Sequence, residues 1–218
     1  MASPKLTFKT PLLPLSWVNV RGQGKLKMEK EDNGDPENYN YTATIIFADE
    51  AAMKPHKAIF DKFWRENKPQ GAGKQNYDMF KKVMTPTLDE NGKEQKDEDD
   101  EIVKHHTGEY SLAAKTITHW PKDGKQNVVK LLGSNGKPLA EGHGLEGGCG
   151  EGTLGIIHGA LGINAYPSNM GLQFYLNGVQ IKESTYTEFT GGNEVEADEI
   201  DDDVADTEIP EDGAGPDV

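Results

Sequence analysis

Residues 39–47, YNYTATIIF, and residues 49–66, DEAAMKPHKAIFDKFWRE, decide how this chain is read. The first stretch is rich in aromatic and β-branched residues, which suit a half-buried pleated surface. Tyr39, Tyr41, Ala43, Ile45 and Phe47 alternate with Asn40, Thr42, Thr44 and Ile46. It predicts a strand with one face on a core. In the second stretch the period changes. Asp49 is a good cap, and Ala52, Ile59, Phe60, Phe63 and Trp64 follow at helical spacing, which predicts one amphipathic helix over 49–66. Pro55 falls early enough to be tolerated near the first turns. Phe63 and Trp64 read as core contacts rather than as a ligand platform.

Outward from this pair, LSWVNV at 15–20 predicts a short strand with Leu15 and Trp17 on one face and Val18 and Val20 on the other. Residues 25–30 extend that strand beyond a glycine bulge. Residues 77–84 read as a second short helix, and strand signals return at 109–119 and 127–132. Asn135-Gly136 marks a tight turn after them. Residues 142–155 hold seven glycines in 14 positions and predict a mobile loop, and 153–165 and 171–183 form a last strand pair. About six strands and one helix give a mainly β fold: a small closed or nearly closed antiparallel barrel with the helix packed on it.

The composition fits short elements and a modest core: 34% of the 218 residues are hydrophobic, with 25 glycines and 12 prolines. The single cysteine, Cys149, cannot form an intrachain disulfide, which points to a reducing compartment or an inert thiol. With neither a signal-peptide pattern nor an apolar run of spanning length, the expectation is a soluble intracellular protein with no membrane partner. The net charge is −14, yet 12 of the 37 acidic residues lie in 194–218, a stretch without a basic residue. The other 25 face 23 lysines and arginines, so the body is near neutral. The expected organisation is a domain over 1–190, with a flexible acidic loop at 87–103, and a disordered acidic tail over 191–218. Two local stretches are basic: Arg21, Lys25, Lys27 and Lys30 against Glu29, and six lysines between Lys104 and Lys137 against Glu109 and Asp123.

Catalytic and cofactor chemistry finds no support in these residues. GEGTLG at 150–155 spells a GxGxxG, but a dinucleotide site needs a strand before it and a helix after it, and IIHGALGI is β-branched and broken by glycine. His143, Cys149 and His158, with His105 or His106, lack the short spacings of structural zinc sites. The acidic clusters lack the spacing of a calcium loop. No nucleophile elbow is present, and no metal or cofactor is expected. What remains is aromatic residues interleaved with cations on predicted strands. Single-strand binding needs flat side chains on which any base stacks and cations that follow the backbone. Trp17, Tyr41 and Trp120 are the candidate stacking residues, and Arg21, Lys25, Lys115, Lys122 and Lys125 the candidate phosphate contacts.

The strand YNYTATIIF leading into DEAAMKPHKAIFDKFWRE, the glycine-rich turn before GTLGIIHGALGINAYPSNMGLQFYLNGVQIKES and the acidic end together resemble the phage single-stranded DNA-binding proteins of the T-seven type. The resemblance spans roughly residues 12–218. It implies an OB-fold of about five to six strands that binds single-stranded DNA without sequence preference, in phage DNA replication, recombination or repair, in the cytoplasm of the infected host. It also implies a tail that competes with DNA and contacts the phage DNA polymerase and helicase-primase, and a homodimer. Tyr166, in the turn NAYPSNMG, matches a DNA-binding aromatic of that family. Family members end in an aromatic residue, whereas this sequence ends Gly215-Pro216-Asp217-Val218, which leaves docking to charge. The rival expectation is a phage protein-interaction or assembly module that does not bind DNA.

Overall fold

In the computed structural model, residues 4–27, 30, 32–70, 72, 79–139, 149, 152–164 and 171–186 are described. Tyr166, the acidic tail and most of the glycine-rich loop lie outside them. Among the described residues the chain forms nine strands and one α-helix. In chain order these are β1 (Lys5–Lys9), β2 (Leu13–Asn19), β3 (Lys25–Leu26), β4 (Tyr39–Phe47), α1 (Glu50–Asn67), β5 (Phe80–Pro86), β6 (Lys104–Ile117), β7 (Lys130–Leu132), β8 (Leu154–Asn164) and β9 (Gly171–Ile181).

Strand β4 has the bounds its alternation predicts, with Tyr39, Tyr41, Ala43, Ile45 and Phe47 all buried. It pairs with β2 on one side and with β6 on the other; β6 pairs with β9, β9 with β8, and β8 returns to β2. Five strands thus close on themselves in the arrangement of an OB-fold. The barrel departs from a purely antiparallel one at β9, which runs parallel to β6 and, further along the same edge, to β7. Strand β1 adds to the free edge of β8.

The helix starts where the cap predicts: Asp49 Oδ1 accepts a hydrogen bond from the Ala52 N–H at 2.8 Å. Its buried stripe is Met53, Phe60, Phe63 and Trp64, while Ile59 is 41% exposed and Ala52 is exposed. Ile59 lies one position off the stripe, so at about 100° per residue it turns to the helix flank. Phe60 plugs the barrel end, with its ring 5.1 Å from Phe8, 5.0 Å from Phe80 and 5.8 Å from Phe174, all edge to face. Each such pair adds about 0.5–1.5 kcal/mol beyond the area it buries.

One expectation is corrected. Residues 80–86 form strand β5 and not a helix: Phe80 pairs with Leu112 and Pro86 with Lys104, and pairing with a long partner overrides the local helical period. Residues 87–103, expected as a flexible acidic loop, continue that hairpin as an exposed arm. Thr87 N–H donates to the Val103 carbonyl, Gln95 N–H to Thr87 and Val103 N–H to Gln95. The carboxylates of Asp89 and Asp97 close its turns by accepting backbone N–H groups. A segment too polar to build a core can still be ordered by backbone pairing that starts from a buried strand.

Two histidines are held neutral by their surroundings. Burial pushes the His56 imidazole below its ordinary value. For His158, burial again leads and the Lys9 charge adds, against the hydrogen bond with Gln180. The unfolded chain therefore binds more protons than the native one just below about pH 6.5. The contribution is full above that pH and is lost as the pH falls towards the lowered values. The urea midpoint should drop between pH 7.5 and pH 5.5, and the variant H56M should show a smaller drop. An unchanged midpoint across that window would contradict the assignment.

Candidate nucleic-acid interface

The sheet face opposite the core is shaped by one extra residue in β2. Leu15 pairs with Ile45 and Ser16 with Thr44, but the next pair is Asn19 with Thr42, so Trp17 and Val18 together stand opposite Ala43 alone. Trp17 absorbs the bulge with φ 48, in the left-handed region that bulky residues rarely adopt. The bulge corrects the predicted faces. Leu15, Val18 and Val20 all turn inward, at 4%, 4% and 0% exposure, and Trp17 turns outward at 64%. Trp17 is thus held in solvent at a backbone cost.

Next to it the register sets up two cross-strand rows. In one, Lys25 stands beside Asn40 and Asn40 beside Ile117; in the other, Asn19 stands beside Thr42 and Thr42 beside Lys115. Lys25 and Lys115 are exposed. Lys27, which alternation places with Lys25, donates its ammonium to the Glu37 carbonyl. Its pKa is pushed below the usual lysine range, first by burial and then by the charges of Lys30 and Lys115; Glu37 and Asp35 offset part of this. The repulsion that Lys27 meets places Lys30 and Lys115 near it, and nearby cations are the feature that a phosphate chain neutralises. Lys27 and Lys30 were counted in the sequence only as local charge. Their signal was the alternation Lys25, Lys27 continuing past the short strand.

The remaining predicted site residues divide. The hairpin after β6 carries Trp120, half-buried, with exposed Lys122 and Lys125. Trp120 N–H donates to the Lys125 carbonyl and Gly124 N–H to that of Trp120, both at 2.8 Å. The Lys125 ammonium lies 3.1 Å from the Asp123 carboxylate, an exposed pair of small worth. Arg21 is tied inward: its guanidinium donates to the Val129 carbonyl at 3.0 Å and to that of Val20 at 3.1 Å, pinning the end of β2 to the segment before β7. Tyr41 does not belong to the face. It is 1% exposed, and its hydroxyl donates to the Gly22 carbonyl at 3.1 Å and accepts from Gln126 Nε2 at 2.8 Å. Its ring is part of the core, where no base can stack.

Residues 154–164, at the end of the GxGxxG, form a strand and not the helix that a pyrophosphate requires. Burial pushes the Cys149 thiol up to about 12, which leaves it a poor nucleophile. Among the described residues no group of three or more His, Cys, Asp or Glu is placed to hold a metal ion, and no helix is long and apolar enough to cross a membrane.

No protein-family model and no curated protein matches the chain. Among solved structures, it is similar to phage single-stranded DNA-binding proteins. One is gp2.5, a single-stranded DNA-binding protein encoded by bacteriophage T7, at 12% identity and a TM-score of 0.45, covering 87% of this chain and 91% of that one. Another is the single-stranded DNA-binding protein of bacteriophage Enc34 in complex with ssDNA, at 13% identity and a TM-score of 0.47, covering 80% and 84%. The C-terminal truncation of the Enc34 protein aligns at 14% identity with the same TM-score and coverage.

The left-handed backbone at Trp17 has a measurable signature. In an ordinary strand alanine is more stable than glycine, whereas here Trp17→Gly should be more stable than Trp17→Ala by roughly 1 kcal/mol, because only glycine adopts this conformation without strain. Denaturant unfolding of the two variants checks the order, and the reverse order would place Trp17 in regular strand geometry.

Proposed function

We propose that this chain is a sequence-independent single-stranded DNA-binding protein of a phage, without enzymatic activity, acting in DNA replication, recombination or repair in the cytoplasm of the infected cell. The observation that carries the DNA reading is the outward-turned Trp17 on the same sheet face as Lys25 and Lys115, with Lys27 and Lys30 beside them. An indole stacks on any base, and ammonium groups neutralise phosphates without reading sequence. Trp120, Lys122 and Lys125 extend the contact from the hairpin, and the family resemblance adds Tyr166 as a further DNA contact. Arg21 acts mainly by holding the hairpin side of the face in place. The sequence resemblance supports the phage setting and a tail over 191–218 that competes with DNA and contacts DNA polymerase and helicase-primase. It supports a homodimer as well.

A second reading, a protein-interaction module, is favoured by the arm and the strand leading into it, where Leu88 is 56%, Ile102 39%, Val103 36% and Met84 of β5 47% exposed. Titration with oligothymidine separates the two. Tryptophan fluorescence should be quenched at low salt, with the quenching reduced in W17F. The double variant K25A/K115A should weaken binding and flatten the dependence of log affinity on log salt by about 1.4, the release expected for two phosphate contacts on a single strand. No binding at low salt would end the DNA reading and leave the module.

A further inference from the structure

We infer that Tyr175 is a second stacking platform, and that the bound single strand runs across the β-strands from Trp17 over Lys115 to Tyr175. This rests on the DNA reading above and gives that site a path. Tyr175 lies in the outward phase of β9: its neighbours Phe174 and Leu176 point into the core at 1% and 2% exposure, while Tyr175 is half-buried on the opposite face. Its partner in β6 is Lys115 and its partner in β8 is Ala160. One uninterrupted row therefore crosses six strands: Thr7, Ala160, Tyr175, Lys115, Thr42 and Asn19. Trp17 stands two residues before Asn19.

The side chains around the aromatic are small. A Cβ at Gly162 would come within 2.7 Å of Tyr175 Cε2, so the ring lies over a position where only glycine leaves room for it. Thr7, Ala160 and Gly162 form a low floor on one side of the ring, and Lys115 stands on the other. From β2 to β9 there are three inter-strand steps, about 14 Å at about 4.8 Å each. The face then presents an aromatic, a cation and an aromatic in order, the pairing of stacking and phosphate neutralisation that sequence-tolerant binding uses. No row of matched donors and acceptors is needed for it.

The test measures oligothymidine affinity of the full chain by fluorescence anisotropy at one salt concentration, with the melting temperature recorded for each variant. Y175F should bind within about twofold of wild type, because the ring is kept. Y175A should bind about 5- to 150-fold more weakly, the loss of one stacked base. The salt slope of Y175A should stay at the wild-type value, because no phosphate contact is removed. G162A, which touches only the bed of the ring, should also weaken binding, and Y175A/G162A should bind no more weakly than Y175A. Photocrosslinking of a 5-iodouracil oligonucleotide to the wild-type chain should mark Tyr175, which keeps the test open if Y175A does not fold. Wild-type affinity in Y175A, or crosslinks confined to other residues, would overturn the path while leaving DNA binding intact. A wild-type chain that binds no oligothymidine overturns both.

Discussion

Strand β8 carries glycine at three positions where a methyl group has no room, and the closure of the barrel depends on two of them. A Cβ at Gly155 would sit 2.3 Å from the Leu15 side chain and 2.6 Å from the Gln180 carbonyl, and one at Gly159 would sit 2.2 Å from the Tyr175 carbonyl. These are contacts with a core side chain and with backbone, so the strands would have to separate to relieve them. Leu15 belongs to β2 and Tyr175 to β9, the two strands that β8 joins to complete the ring. With glycine there, Leu15, Phe174 and Ile181 fill the interior at 4%, 1% and 1% exposure. The third glycine, Gly162, faces outward and leaves its space to the Tyr175 ring. One strand thus sets both how tightly the core closes and how flat part of the outer face is.

The bulge in β2 works in the opposite sense, adding a residue instead of removing a side chain. Without it, strict alternation would put Trp17 beside Leu15 in a core already filled by Ile45 and Phe47, and would turn Val18 to solvent. With it, three apolar residues of the strand stay inside and the indole leaves. The backbone strain at Trp17 is of order 1–3 kcal/mol and persists because pairs on both sides of the bulge fix the register. The crowding of Lys27 against Lys30 and Lys115 is the electrostatic counterpart. Both features work against folding and are held in place by the pairing around them.

The parts of the fold legible in the sequence were those where local pattern and tertiary role agree. Residues 39–47 alternate cleanly because one face is core, and Asp49 caps because its carboxylate has an orphan N–H to satisfy. Asn135 and Gly136 turn as their dipeptide demands, with Asn135 Oδ1 accepting from the Lys137 N–H. Strand β5 was not legible, because Phe80, Val83 and Met84 fit a helical period equally well and its strand character comes from β6. The bulge was not legible either, since it depends on how β2 meets β4, and so Trp17 was placed on the same face as Leu15, opposite Val18 and Val20. Trp17, named as a candidate stacking residue, does stand in solvent. Tyr41 was singled out wrongly, although its own alternation with Ile45 and Phe47 already placed it inside. Tyr175, in step with Gln173 and out of step with Leu172, Phe174 and Leu176, was legible as outward-facing but not as the partner of Lys115, because a parallel contact between β6 and β9 has no local signature.

The net charge of −14 says little about this face, because the charges of the described residues are segregated along β6. At one end Lys115 stands on the barrel among Lys25, Lys27 and Lys30; at the other, Lys104 leads into the arm with its eight acids between Asp89 and Glu101. From Lys115 to Lys104 the strand runs eleven residues, up to about 36 Å in extended form. The Debye length at physiological ionic strength is only about 8 Å, so carboxylates beyond the far end of β6 are screened from an anion approaching Lys115. At Lys27 the pull of Glu37 and Asp35 is outweighed by burial and by the charges of Lys30 and Lys115. The acidity of the whole chain therefore governs its solubility and its long-range encounters more than the field close to Lys115.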